Sequence, residues 1–288
     1  MNHDSPSATV VVGGVSWPRR LGLRLVRLFS YFHGGWRGAV AVLGFVLLWQ
    51  AFGMASGLLG NKIPTPIDVI ETFFNTFAAD PRYWRNWAAS FERVVWGFGF
   101  AQLLGIPLGI ALGLSRTTEE IMFPVFEVLR PIPPLAWVPI SILFWPTHEM
   151  SIIFITFVGA FFVIAINVFD GIKNIPARYF WLAASLGASR WQIFLRIVLP
   201  AVIPSVAVGM TLGIAITWDV LVAAEMIAGD LGLGRLTWEG YVSNTPTIVV
   251  VGMISIGIAG YVSARIVDYI EGRLMPWAQH DPKFRRRR

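Results

Sequence analysis

The sequence predicts an all-α integral membrane protein with six transmembrane helices. Of its 288 residues 55% are hydrophobic and 14% charged, and a mean hydropathy of +0.62 with 13 Trp and 21 Phe exceeds what a soluble core of this length would bury. Six runs, residues 38–59, 94–114, 121–145, 152–169, 202–227 and 248–266, match the roughly 20 apolar residues that a helix needs to cross the hydrocarbon layer.

The first run follows Arg19, Arg20, Arg24, Arg27 and Arg37, set against one acid, Asp4. It is longer than a signal-peptide core and no small-x-small cleavage site ends it, so it reads as an uncleaved anchor with its N-terminus in the cytoplasm. Later basic groups fall on the same side: Lys173, Arg178, Arg190 and Arg196, then Arg265, Arg273, Lys283 and Arg285 to Arg288. The opposite segments are balanced, with Lys62, Arg82, Arg85 and Arg93 against Asp68, Glu71, Asp80 and Glu92. Both termini are therefore expected inside, with basic segments 1–37 and 273–288 flanking a membrane domain of residues 38–272. The closing FRRRR suits anionic headgroups, a protein contact being the alternative.

Between the first two runs, Thr65 can cap a short helix that has Pro66 at its first position. Ile67, Ile70, Phe73, Phe74 and Phe77 then form an apolar face for the membrane surface or for the other spans. The third run contains RPIPP, where Pro131, Pro133 and Pro134 lack amide donors and cannot continue a regular helix. Trp137 and Trp145 lie beyond that break.

Residues 176–200 are more polar than their surroundings. Asn174 and Pro176 signal a helix start and Gly187 a stop. Ser189 with Gln192 spells a capping box that opens a second short helix with an apolar stripe of Trp191, Phe194, Leu195 and Val198. Pro200 is expected to reset the chain into the fifth span. Such a helix pair could lie on headgroups or protrude toward a soluble partner.

The stretch WLAASLGASRWQIFLRIVLP (181–200) resembles the signature cytoplasmic loop of binding-protein-dependent ABC importer permeases: Glu-Ala-Ala, three residues, Gly, nine residues, Ile-x-Leu-Pro. Gly187, Ile197, Leu199 and Pro200 match in identity and spacing, Ala183 matches the second alanine, and Trp181 and Leu182 replace Glu-Ala. RPIPPLAWVPISILFW (130–145), WDVLVAAEMIAGDLGLGRL (218–236) and RLMPW (273–277) resemble the taurine, alkanesulfonate, nitrate and bicarbonate subgroup, with the last closest to taurine members.

The resemblance implies a type I importer fold and a homodimer with a second permease copy. It also implies two copies of an ATP-binding subunit that carry ATP and Mg2+, and a periplasmic or lipid-anchored solute-binding protein. Coupling to the ATPase would fall to Ala183, Ala184, Gly187, Ala188, Ser189, Arg190, Gln192, Ile197, Leu199 and Pro200. Leu236, Trp238 and Tyr241, after a Gly-rich loop, would meet the binding protein, a plain connector being the alternative. The solute expected is a small anion, taurine or an alkanesulfonate before nitrate or bicarbonate.

Ionisable groups at membrane depth usually face a cavity or a partner. Glu127 and Arg130, three apart, can pair as a structural bridge, or Arg130 can line a path for an anion together with Glu127, Pro131, Pro133, Pro134 and Trp137. Asp219, beside Trp218, and Glu225 either make bundle contacts or line the path and repel wrong anions. An ion-coupled secondary transporter would use one of them as a proton relay, but no inverted repeat is detectable.

Other chemistry is unsupported. The chain has no cysteine and no G-x-x-x-x-G-K-[ST] loop, so ATP hydrolysis is expected elsewhere. GLG at 232–234 lacks the context of a dinucleotide fingerprint. His3, His33, His148 and His280 show no metal-ligand spacing, and no catalytic constellation is present, so neither metal nor cofactor is expected in this chain. The net charge of +6 is dispersed around the spans rather than striped for nucleic acid.

Overall fold

The computed structural model describes residues 35–58 and 63–276, all helices, turns and connectors without a strand among them. Residues 1–34 of the basic N-terminal segment, with His3 and His33, and the FRRRR tail with His280 lie outside the described residues. The chain divides into two units at residues 61 and 62. The first contains α1 (Gly35–Leu58), whose stretch Gly38–Gly57 is long and apolar enough to span.

The second unit starts with α2 (Pro66–Thr72), extended by a π-turn, Phe73–Phe77. Thr65 caps it as expected, in a reciprocal box with Asp68: the Asp68 amide donates to Thr65 Oγ1 and the Thr65 amide to Asp68 Oδ2. The expected apolar face divides. Phe73 and Phe77 pack on Tyr83, and Val69 is buried, whereas Ile67, Ile70 and Phe74 point outward.

α3 (Pro81–Leu114) begins well before the expected start of the second span, because Asp80 caps its amide end and Pro81 fits its first turn. One stripe of it is buried from end to end: Tyr83, Asn86, Ser90, Arg93, Gly97, Ala101, Gly105 and Gly109. The small residues let α3 lie against α6 (His148–Lys173). A Cβ at Gly109 would stand 2.5 Å from the Ala165 carbonyl oxygen, and one at Gly97 2.6 Å from Thr156 Cγ2.

The third span is a bent pair. α4 (Arg116–Leu129) stops at RPIPP, a 3-10 turn (Pro134–Trp137) follows, and α5 (Val138–Phe144) leaves at an angle, so that the two halves meet at 87°. With this pair counted once, the described residues hold six stretches long and apolar enough to cross a membrane. α6 is the central helix. Its Ile152, Ile155, Ala160, Ile164, Ala165 and Val168 are wholly buried, with α3 and α9 as its main neighbours.

α7 (Ala177–Ser185) and α8 (Arg190–Ile193) form the loop after α6. The second short helix does not end at Pro200. A π-turn (Phe194–Val198), in which the Leu199 amide reaches back to the Phe194 carbonyl, leads directly into α9 (Leu199–Ala228), so Arg190–Ala228 is one continuous helix that contains a stretch long and apolar enough to span. The wider turn absorbs a proline that would otherwise break the ladder. α10 (Leu233–Val242) and α11 (Pro246–Leu274) complete the unit and pack on each other and on α9.

Candidate functional site

At one end of the bundle the α7–α8 corner is built by local hydrogen bonds. Gly187, at φ +78°, closes α7: its amide donates to the Ala184 carbonyl and the Ala188 amide to the Ala183 carbonyl. This is the double cap that requires a left-handed residue. Two residues later Ser189 opens α8. The Gln192 amide donates to Ser189 Oγ at 3.3 Å, and the Ser189 amide to Gln192 Oε1 at 2.8 Å. Both sequence signals describe the geometry found.

The corner presents Ala184, Gly187, Ser189, Arg190, Gln192, Leu199 and Pro200 on the surface, with Ala188 and Ile197 half-buried and Ala183 buried as its anchor. Trp181, Leu182, Leu186 and Trp191 are also exposed, a large apolar area for a loop that carries Arg178, Arg190 and Arg196.

The opposite end holds a buried ionic cluster that was not anticipated. Arg93, assigned above to a solvated segment, is 1% exposed. Its Nη1 donates to Glu225 Oε1 at 2.8 Å and to the Leu231 carbonyl at 2.7 Å, and its Nε and Nη2 hold the two carboxylate oxygens of Glu149. Ser90 Oγ donates to Glu225 Oε1, and the Gly234 amide to Oε2. The Leu233 amide donates to Ser90 Oγ and the Gly232 amide to Asn86 Oδ1. α3, α6, α9 and the loop into α10 thereby meet at one guanidinium.

The glycines of GLG now have a role. Gly232 has φ +129°, and a Cβ there would lie 2.4 Å from the Glu225 carboxyl carbon; at Gly234 it would lie 2.4 Å from the Val222 carbonyl oxygen. The loop can close on the carboxylate only without side chains. α10, which follows, keeps Leu236 buried, so this residue belongs to the core, on the face it shares with Leu233 and Gly240, and not to the surface expected of it. Trp238 is half-buried and Tyr241 exposed.

The remaining candidates separate. Trp218 and Glu225 are buried inside the chain, whereas Asp219, six residues before Glu225, is exposed on α9. Glu127 and Arg130 are both exposed, and no ion pair joins them among the described residues. An exposed pair at this spacing would have gained only a few tenths of a kcal/mol. Pro131 and Pro133 are exposed at the bend; Pro134 and Trp137 are half-buried. Among the described residues no group of His, Asp and Glu is arranged to hold a metal.

Residues 105–276 match the family described as binding-protein-dependent transport system inner membrane component. The nitrate import permease protein NrtB of Synechocystis sp. is 35% identical over 230 residues, 77% of this chain and 82% of that protein. The taurine transport system permease protein TauC of Escherichia coli K12 is 31% identical over 244 residues, 83% and 88% of the two chains. A crystal structure of a bacterial ABC transporter involved in import of the polysaccharide alginate shares the fold, with a TM-score of 0.55 at 15% identity over 88% of this chain and 99% of that one. The bent third span, the capped corner after α6 and these matches agree: the chain belongs to the binding-protein-dependent ABC importer permeases, as a multi-pass inner-membrane component.

Proposed function

We propose that the chain is the permease subunit of an ATP-driven importer that moves a small anionic solute, taurine or an alkanesulfonate before nitrate or bicarbonate, from a solute-binding protein into the cytoplasm. The observation that carries this reading is the α7–α8 corner, whose two interlocked caps project a polar and aromatic surface from the end of an otherwise apolar bundle. A helix pair meant only for headgroups needs no such rigid turn. Two copies of an ATP-binding subunit, with ATP and Mg2+ on them, dock on this corner on the cytoplasmic side, where both termini also lie. Two permease copies enclose the path. Closure of the ATPases moves the corners and opens the bundle outward; hydrolysis resets it.

At the other end α10 offers Trp238 and Tyr241 to the binding protein, and the Arg93 cluster ties α10 to three spans. Affinity purification of the tagged chain from its own membranes tests the reading. The wild-type protein should bring an ATP-binding subunit that is lost when Gly187 and Arg190 are replaced. An ATPase-free chain that still transports after reconstitution would discard it.

A further inference from the structure

We propose that Asp219 is a specificity determinant that pairs with a cationic group on the solute, so that the transported compound carries an ammonium or similar group beside any acidic one. This rests on the importer reading above and narrows its solute. Asp219 lies in α9 nine residues before the end at Ala228, about 14 Å of helix rise. Trp218 and Val220 on either side of it are buried, whereas Asp219 shares an exposed stripe with Val208, Leu212, Ala215 and Ile227. It makes no hydrogen bond or ion pair with any described residue.

A carboxylate set in an apolar stripe that faced acyl chains would be expensive. With one methylene, Asp cannot reach the interface as Lys and Arg do. The stripe around Asp219 therefore faces something other than lipid. One turn to either side stand Ala215 and Ala223, whose short side chains leave the carboxylate uncovered by its own helix. An uncompensated carboxylate repels nitrate, bicarbonate and the sulfonate group alike, while a positively charged end of the solute is its charge complement. An amine-bearing sulfonate fits; a simple inorganic anion does not. A cation supplied by a second copy of the chain would instead neutralise Asp219 for every solute equally, and the experiment separates these cases.

The transporter is purified through this chain with its ATP-binding subunit and solute-binding protein and reconstituted in liposomes. ATP-driven uptake is measured for taurine, for ethanesulfonate, which keeps the sulfonate and lacks the amine, and for nitrate. The wild-type chain should favour taurine, and Asp219→Asn should lower the taurine-to-ethanesulfonate ratio about tenfold or more. Asp219→Glu should keep most of the preference. Because the binding protein is the same in every arm, a changed ratio reports on the permease. An unchanged ratio in Asp219→Asn, whether uptake persists or falls equally for both sulfonates, overturns the proposal and leaves the importer standing, as does a wild-type preference for nitrate. If the wild-type assembly takes up none of the three, both the proposal and the solute class behind it fall.

Discussion

Arg93 Nη1 donates to Glu225 Oε1 across 2.8 Å, and the two side chains, 2% and 0% exposed, are sealed between α3 and α9. Neither charge can be solvated if the other is removed. Breaking such a buried pair from one side typically destabilises by about 3–5 kcal/mol, whereas removing both charges is far milder. Arg93→Met should therefore lower the unfolding temperature of the purified protein strongly, and Arg93→Met combined with Glu225→Gln should recover part of the loss. A double variant as unstable as the single one would show that Arg93 acts through Glu149 and the Leu231 carbonyl instead.

Gly232 tests the same site from the loop side. Gly232→Ala meets a left-handed backbone and a Glu225 carboxyl group 2.4 Å from the new methyl, so the loop must open. The expected result is a clear fall in thermal stability. By contrast Gly99→Ala, in a helix with nothing within 4 Å, should be neutral or stabilise by up to about 1 kcal/mol, the ordinary helix preference for Ala. Equal effects at the two positions would contradict the cradle.

Much of this was readable in the sequence, and the exceptions have a common cause. Thr65, Gly187, Ser189 and Gln192 announce caps, whose partners lie within a few residues, so the local pattern carries the geometry. RPIPP announced the bend for the same reason, since proline acts on its own helix. Arg93 did not reveal itself, because its partners are 56 and 132 residues away and an arginine just before an apolar run resembles a solvated flank. A signal did exist: Asn86, Ser90 and Arg93 continue upstream the spacing of Gly97, Ala101, Gly105 and Gly109, the stripe of α3 that packs inward. Leu236 is buried although its pattern equally suits a surface, because an apolar residue on a short amphipathic helix can serve the core or a partner and only the packing of neighbouring helices decides.

Ser189→Ala removes the side-chain acceptor for the Gln192 amide, and Gln192→Ala removes the return bond. Loss of an N-cap costs about 1 kcal/mol. This is small beside the stability of the bundle but falls wholly on α8. Thermal unfolding should change little in either variant, while ATP-binding-subunit recovery in pull-down should fall. Pull-down recovery equal to wild type in both would remove the capping box from the coupling surface.

Gly187 offers the sharpest separation of shape from packing. It has φ +78°, yet no atom lies within 4 Å of where a Cβ would stand, so any side chain fits by volume and only the backbone conformation discriminates. Left-handed geometry costs an ordinary L-residue roughly 1–2 kcal/mol, is tolerated best by Asn, and is worst for a β-branched side chain. Substitution should therefore rank Asn, then Ala, then Val in retained transport, against the order of no ranking by size, since Asn and Val are similar in bulk. Membrane insertion and yield should stay normal in all three, because the corner lies outside the packed spans. Gly187→Val should lose ATPase coupling while Gly187→Asn keeps most of it, measured as substrate uptake per ATP hydrolysed in the reconstituted transporter. Equal coupling in Gly187→Asn and Gly187→Val would mean that the corner need not hold its left-handed turn for the two short helices to transmit motion.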